Sequence, residues 1–107
     1  MTFLLYYTGA NGSARRFAEE MERSGIADDI RAEVGNLRYE YFFPMNDPET
    51  VLLIDAWRDQ AALDAHHASL MMAQIAALRE KYDLHMKVER LTSAEEGSEA
   101  DKEFIRT

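Results

Sequence analysis

The apolar positions of this chain change period several times, and each change marks an element. Phe3 to Tyr7 is an unbroken aliphatic and aromatic run ended by Gly9-Ala10-Asn11-Gly12, the pattern of a buried strand closing in a turn. Ser13 then offers a hydroxyl that can accept an orphan backbone N–H, so it is the expected N-cap of a helix. Phe17 and Met21 define one apolar stripe, while Ile26, Ile30 and Val34 define a second, out of phase with the first. The slip falls at Ser24-Gly25, which predicts two helical pieces spanning residues 13–33.

Gly35 closes that helical stretch, and residues 36–43 read as a strand with Leu37, Tyr39 and Tyr41 on one face and Arg38 and Glu40 on the other. Pro44-Met45-Asn46-Asp47-Pro48 is a turn. Residues 50–57 are apolar on both faces until the end, as in a central strand covered on two sides, and the short connection makes these two strands an antiparallel hairpin. Asp59 is placed to cap a helix through His66 and His67. Ser69 is expected to interrupt it before a further stretch from Leu70 to Tyr82. Leu84, Met86, Val88 and Leu91 then alternate with His85, Lys87 and Glu89 in a last strand, the last step slipping by one.

The order β-α-β-β-α-β predicts an α+β, ferredoxin-like domain over residues 1–91, with helices on one face of an antiparallel sheet. Leu52 and Ile54 would be exposed on the other face, so a second copy of the chain, packed sheet to sheet, is the expected cover. Residues 92–107 read as an acidic C-terminal extension carrying Glu95, Glu96, Glu99, Asp101 and Glu103. The apolar Phe104-Ile105 near its end is expected to dock as an edge strand.

Composition narrows the chemistry. With 47% apolar and 30% charged residues the chain is an ordinary globular one, and its length suits a single domain. The net charge of −8 argues against a nucleic-acid or anionic-membrane partner, since both require a basic patch. The absence of cysteine excludes disulfides, thiolate metal sites and cysteine nucleophiles. With no run near the ~20 apolar residues of a membrane span and no signal-peptide pattern, the expected location is cytoplasmic.

Three segments carry a resemblance. Gly35-Asn36-Leu37-Arg38-Tyr39-Glu40, then Val51 to Asp59, then Ala61-Ala62-Leu63-Asp64-Ala65-His66 are similar, in order and spacing, to the antibiotic biosynthesis monooxygenase family, over about residues 2 to 91. The resemblance implies a dimeric α/β barrel with a small-molecule cavity between sheet and helices. It implies a cavity-lining role for Trp57, which offers a flat apolar wall and one N–H donor. His66 matches a histidine common in the family and suits acid–base work near neutral pH. Residue Leu53 stands where the aromatic-polyketide oxygenases carry a substrate-binding asparagine, so their mechanism does not transfer whole. Ala76 and Ala77 occupy the region of the haem-degrading branch's histidine ligand, so haem is not expected. His85 stands alone on the last strand and there is no glycine-rich phosphate loop, so no metal or other cofactor is expected either.

From the residues themselves, Asp55 shares a strand face with Trp57 by the period of two and is a candidate to orient His66. Tyr39 and Tyr41 are candidate holders of a quinol or carbonyl oxygen. His67 falls on the stripe of Leu63 and Leu70 or Met71, which gives it a packing role. The reading that follows is a cofactor-independent monooxygenase acting with O2 on a small electron-rich aromatic or quinol. An acid–base isomerase of a small carbonyl compound and a non-catalytic binding dimer remain open beside it.

Overall fold

A computed structural model describes residues 1–91 of the chain. Its elements run β1 (Thr2–Thr8), α1 (Ser13–Arg23), α2 (Ile26–Arg31), β2 (Asn36–Phe42), β3 (Thr50–Trp57), α3 (Gln60–His67), α4 (Met71–Lys81) and β4 (His85–Leu91). The strands form one antiparallel sheet in the order β2-β3-β1-β4, the ferredoxin-like arrangement expected from the element order. The extension from residue 92, with its expected docking strand at Phe104 and Ile105, lies outside the described residues.

Register decides what each face carries. Leu5 stands opposite Leu53 and Val88, and Tyr7 opposite Val51 and Met86, so these side chains share the face that the helices cover. Phe17 and Met21 of α1 and Ile30 of α2 pack onto it, fully buried with Leu53 and Trp57. On the other face Leu4 lies opposite Ile54 and Tyr6 opposite Leu52, and all four are only half-buried in the single chain. Strand β3 is therefore covered on one side by its own chain.

The helix breaks fall where the sequence places them. Gly25, at φ 87°, adopts the left-handed conformation that separates α1 from α2, and Ala68 to Leu70 separate α3 from α4. Asp59 caps α3 by accepting the Ala62 N–H at 2.9 Å. Gly35, at φ 85°, is held to glycine twice over, because a Cβ there would lie 2.4 Å from that of Ala62.

Four local expectations are corrected. Gly12, not Ser13, is the N-cap of α1, and the Ser13 hydroxyl accepts the Ala10 N–H at 3.1 Å instead. Leu37 does not share a face with Tyr39, because a bulge between Asn36 and Arg38 shifts the register and leaves Leu37 65% exposed. Val34 does not continue the Ile26–Ile30 stripe, since α2 ends at Arg31 and the turn beyond turns Val34 outward, 78% exposed. His67 is not packed against Leu70, because the helix breaks between them and Leu70 is 89% exposed.

Candidate functional site

A cavity of about 300 Å³ lies between the helix-covered face of the sheet and helices α3 and α4. This is the lower end of the range for small-molecule sites. Leu5, Leu53 and Val88 supply its floor and Met72 and Ile75 its roof. Its polar groups are few: Tyr7, Tyr39, Asp55, His66, His67 and Arg79.

Both histidines line the cavity, but differently. His66, one α-helical turn after Leu63, is 5% exposed, and its ring stacks on Trp57 with centroids 4.7 Å apart. Nδ1 of His66 lies 2.6 Å from Oε2 of Glu33. An ionised Glu33 accepts a hydrogen bond from Nδ1–H, and that tautomer leaves the lone pair on Nε2. His67, at the last turn of α3, is exposed at the cavity wall.

The sequence offered Asp55 as the carboxylate that orients His66; in the structure the ring's hydrogen-bond partner is Glu33. Asp55 instead faces the cavity floor, 8% exposed, with Oδ1 lacking a partner. Burial pushes its carboxyl up to about 6, and the nearby Glu33 carboxylate adds to the rise. The neighbouring Trp57 indole N–H opposes that rise, although Nε1 and Oδ1 do not reach full hydrogen-bond geometry. Trp57 itself is wholly buried. It forms the wall behind His66 rather than the cavity surface.

Tyr39 lines the cavity beside Asp55, its cross-strand neighbour on β3, while Tyr41 sits one pleat further along, outside it. The two hydroxyls are 3.0 Å apart, and burial raises the pKa of both well above the ordinary tyrosine value. Tyr7, buried on β1, also reaches the cavity; burial pushes its hydroxyl up to about 12, against the pull of the Arg79 charge. Among the described residues no three His, Asp or Glu side chains gather as a metal site.

Sequence reasoning missed Glu33, Tyr7 and Arg79. Glu33 carries no local signal, because it meets His66 only through the turn after α2. Arg79 does carry one: it is a cation on the inward stripe of Met72 and Ile75.

Comparison with known proteins agrees with this architecture. The chain belongs to the antibiotic biosynthesis monooxygenase family, whose pattern it matches over residues 2–78. A solved structure from Pseudomonas aeruginosa is 28% identical, with a TM-score of 0.73 over 88% of this chain and 93% of that one. A Mycobacterium tuberculosis protein is 20% identical, with a TM-score of 0.67 over 91% and 98%. SnoaB, a cofactor-independent oxygenase from Streptomyces nogalater, is 18% identical, with a TM-score of 0.64 over 88% and 96%. No curated protein matches. No helix among the described residues is long and apolar enough to cross a membrane.

Proposed function

We propose that the chain is a cofactor-independent monooxygenase that oxidises a small electron-rich aromatic or quinol with O2 in the cavity beneath α3 and α4. The observation that carries the reading is the buried His66 with Nδ1 2.6 Å from Oε2 of Glu33, a contact that in the Nδ1–H tautomer leaves Nε2 to act as a base. The description of SnoaB as a cofactor-independent oxygenase supports it at the level of fold.

In this reading Nε2 of His66 takes the proton of a phenolic hydroxyl. The phenolate passes one electron to O2, and the resulting radical pair joins at an unsubstituted ring carbon to form a peroxide. His66 returns its proton to the distal oxygen. The O–O bond then breaks as the ring C–H proton leaves, giving a new carbonyl and one water. Phenol plus O2 thus becomes quinone plus water, with all electrons drawn from the substrate. Asp55, whose carboxyl titrates near 6, holds the substrate oxygen; Tyr39 and Tyr41 form the hydroxyl pair behind it, and Trp57 keeps the His66 ring in plane. The apolar walls exclude water from the charged intermediates. A homodimer through the open sheet face completes the proposal.

Oxygen uptake by the full chain with a panel of hydroxylated one- and two-ring aromatics tests it. One atom of labelled O2 should appear in the product and one in water, and His66→Ala should abolish uptake. The same groups also fit proton transfer on a small carbonyl compound, because two proton-carrying groups, His66 and Asp55, share one cavity. Solvent-proton exchange under argon without any oxygen uptake would favour that second reading.

A further inference from the structure

The charges of the cavity are segregated. Asp55 and the Glu33–His66 pair lie towards the β2–β3 side, under α3. Arg79 stands on α4, on the same inward stripe as Met72 and Ile75, and reaches towards the edge strand β4, where Nη1 lies 3.6 Å from Sδ of Met86. Among the described residues Arg79 makes no ion pair, although the chain carries 20 acidic residues against 12 basic ones. A half-buried guanidinium beside Ile75, Met86 and Val88 loses hydration without gaining a carboxylate from the described residues, an arrangement that favours a cavity holding an anion. Its field already favours negative charge at the Tyr7 hydroxyl.

We propose that Arg79 anchors an acidic group of the ligand, so that the cavity takes hydroxylated aromatic carboxylic acids, with the carboxylate at Arg79 and the reacting hydroxyl at Asp55 and His66. The proposal deepens the oxygenase reading, since it assigns a substrate class to the same cavity. Guanidinium supplies the two parallel N–H donors that match a carboxylate. The apolar floor of Leu5 and Val88 between the two polar ends accepts the ring face. A volume of about 300 Å³ admits one or two fused rings and little more.

Binding of 2,5-dihydroxybenzoate, of 6-hydroxy-2-naphthoate and of their methyl esters to the full chain, measured by NMR titration under argon, tests this without any turnover. At least one acid should bind the native chain about tenfold or more tightly than its ester. Arg79→Gln should remove most of that difference with little change in ester binding, and Arg79→Lys should keep part of it. Added sodium chloride should weaken acid binding and leave ester binding alone, a readout that needs no variant. Equal binding of acid and ester, equal loss of both in Arg79→Gln, or no binding of either pair at millimolar concentration would overturn the proposal. The two readings fail separately: an acid that binds through Arg79 and never consumes O2 removes the oxygenase, whereas rapid O2 uptake on the esters alone removes the anchor.

Discussion

The two faces of strand β3 are chemically close in sequence and opposite in circumstance. Leu53, Asp55 and Trp57 point under the helices and are almost wholly buried, while Leu52 and Ile54 point away and are half-buried. One face has been closed by the chain itself and has acquired polar groups: Asp55, whose ionisation is opposed by burial, and beyond it the hydrogen-bonded His66 and Glu33. The other has Leu4, Leu52, Ile54 and the Tyr6 ring in its middle, with charges such as Arg38, Glu40, Lys87 and Glu89 around them. Polar groups are retained where a cavity can use them, and apolar ones where a flat surface can be covered.

The largest expected effect separates two neighbours on the closed face. His66→Ala should lower kcat/KM by about 10²–10⁴-fold on any substrate found, as for loss of a general base, while His67→Ala should change it by less than tenfold. His66→Ala should also cost stability, because Glu33 is left half-buried without its partner and Trp57 loses its stacked ring, whereas the exposed His67 should cost almost none. Equal losses of activity in the two variants would remove His66 as the base.

How much of this was legible beforehand follows from what is local. The strand and helix order, the break at Ser24-Gly25 and the Asp59 cap are written in neighbouring residues, and the structure agrees with them. The bulge that turns Leu37 outward has no composition signal of its own; only the pairing of β2 with β3 produces it. The helical spacing that puts His67 on a stripe with Leu70 has no meaning across the break at Ala68 to Leu70. His66 and Trp57 were legible as a pair of interest, yet the carboxylate that meets His66 comes from a turn 33 residues earlier. Long-range partners of this kind follow from register and turn geometry, not from spacing.

The next effect contrasts Leu53 with Leu52. Leu53→Ala opens a void in a closed core and should cost about 2–5 kcal/mol of folding free energy at any protein concentration. Leu52→Ala removes a side chain that is only half-buried in one chain, so its cost should be smaller and should depend on concentration if a second copy covers it. Denaturant melts at two concentrations check both. A concentration-independent loss of equal size at the two positions would mean that the faces differ less than their exposure suggests.

A third prediction uses pH on Asp55 alone. The folded state raises this carboxyl from 3.8 to about 6, so folding favours the protonated form. The corresponding stability is present in full below pH 3.8 and is lost as pH rises through 6. The size is roughly 2–3 kcal/mol. Carboxylates held below their ordinary range by hydrogen bonds, such as Asp47 and Asp59, act with the opposite sign, so the native chain's overall profile mixes the two. The difference between the native chain and Asp55→Asn isolates the wanted contribution. Asp55→Asn should gain stability relative to the native chain as pH rises from 4 to 7 and little beyond. A constant difference across that range would place Asp55 in contact with water rather than in the cavity floor.

The smallest effect on the chain's own fold, and the sharpest test of the open face, comes from Ile54→Lys. In a single chain this residue is half-buried between Leu4 and the edge of β2, and a lysine can lay its stem on the sheet with the ammonium in water. The monomer's folding free energy should therefore change by about 1 kcal/mol or less. Two sheets packed through this face would respond very differently, because the same ammonium would lose its water against Leu4, Tyr6 and Leu52 of a second copy. Light scattering should show the native chain as a dimer at micromolar concentration and Ile54→Lys as a folded monomer, with the far-UV spectrum unchanged. Glu40, already paired with Arg38, stands directly across from Ile54 on β2, so an ion pair with the new lysine would offset part of its cost in both states. Ile54→Ser, which offers no charge to pair, should weaken association less than Ile54→Lys and confirm that the loss comes from burying the ammonium. A native chain that scatters as a monomer would leave the apolar middle of the open face without an occupant and would end the dimer proposal outright.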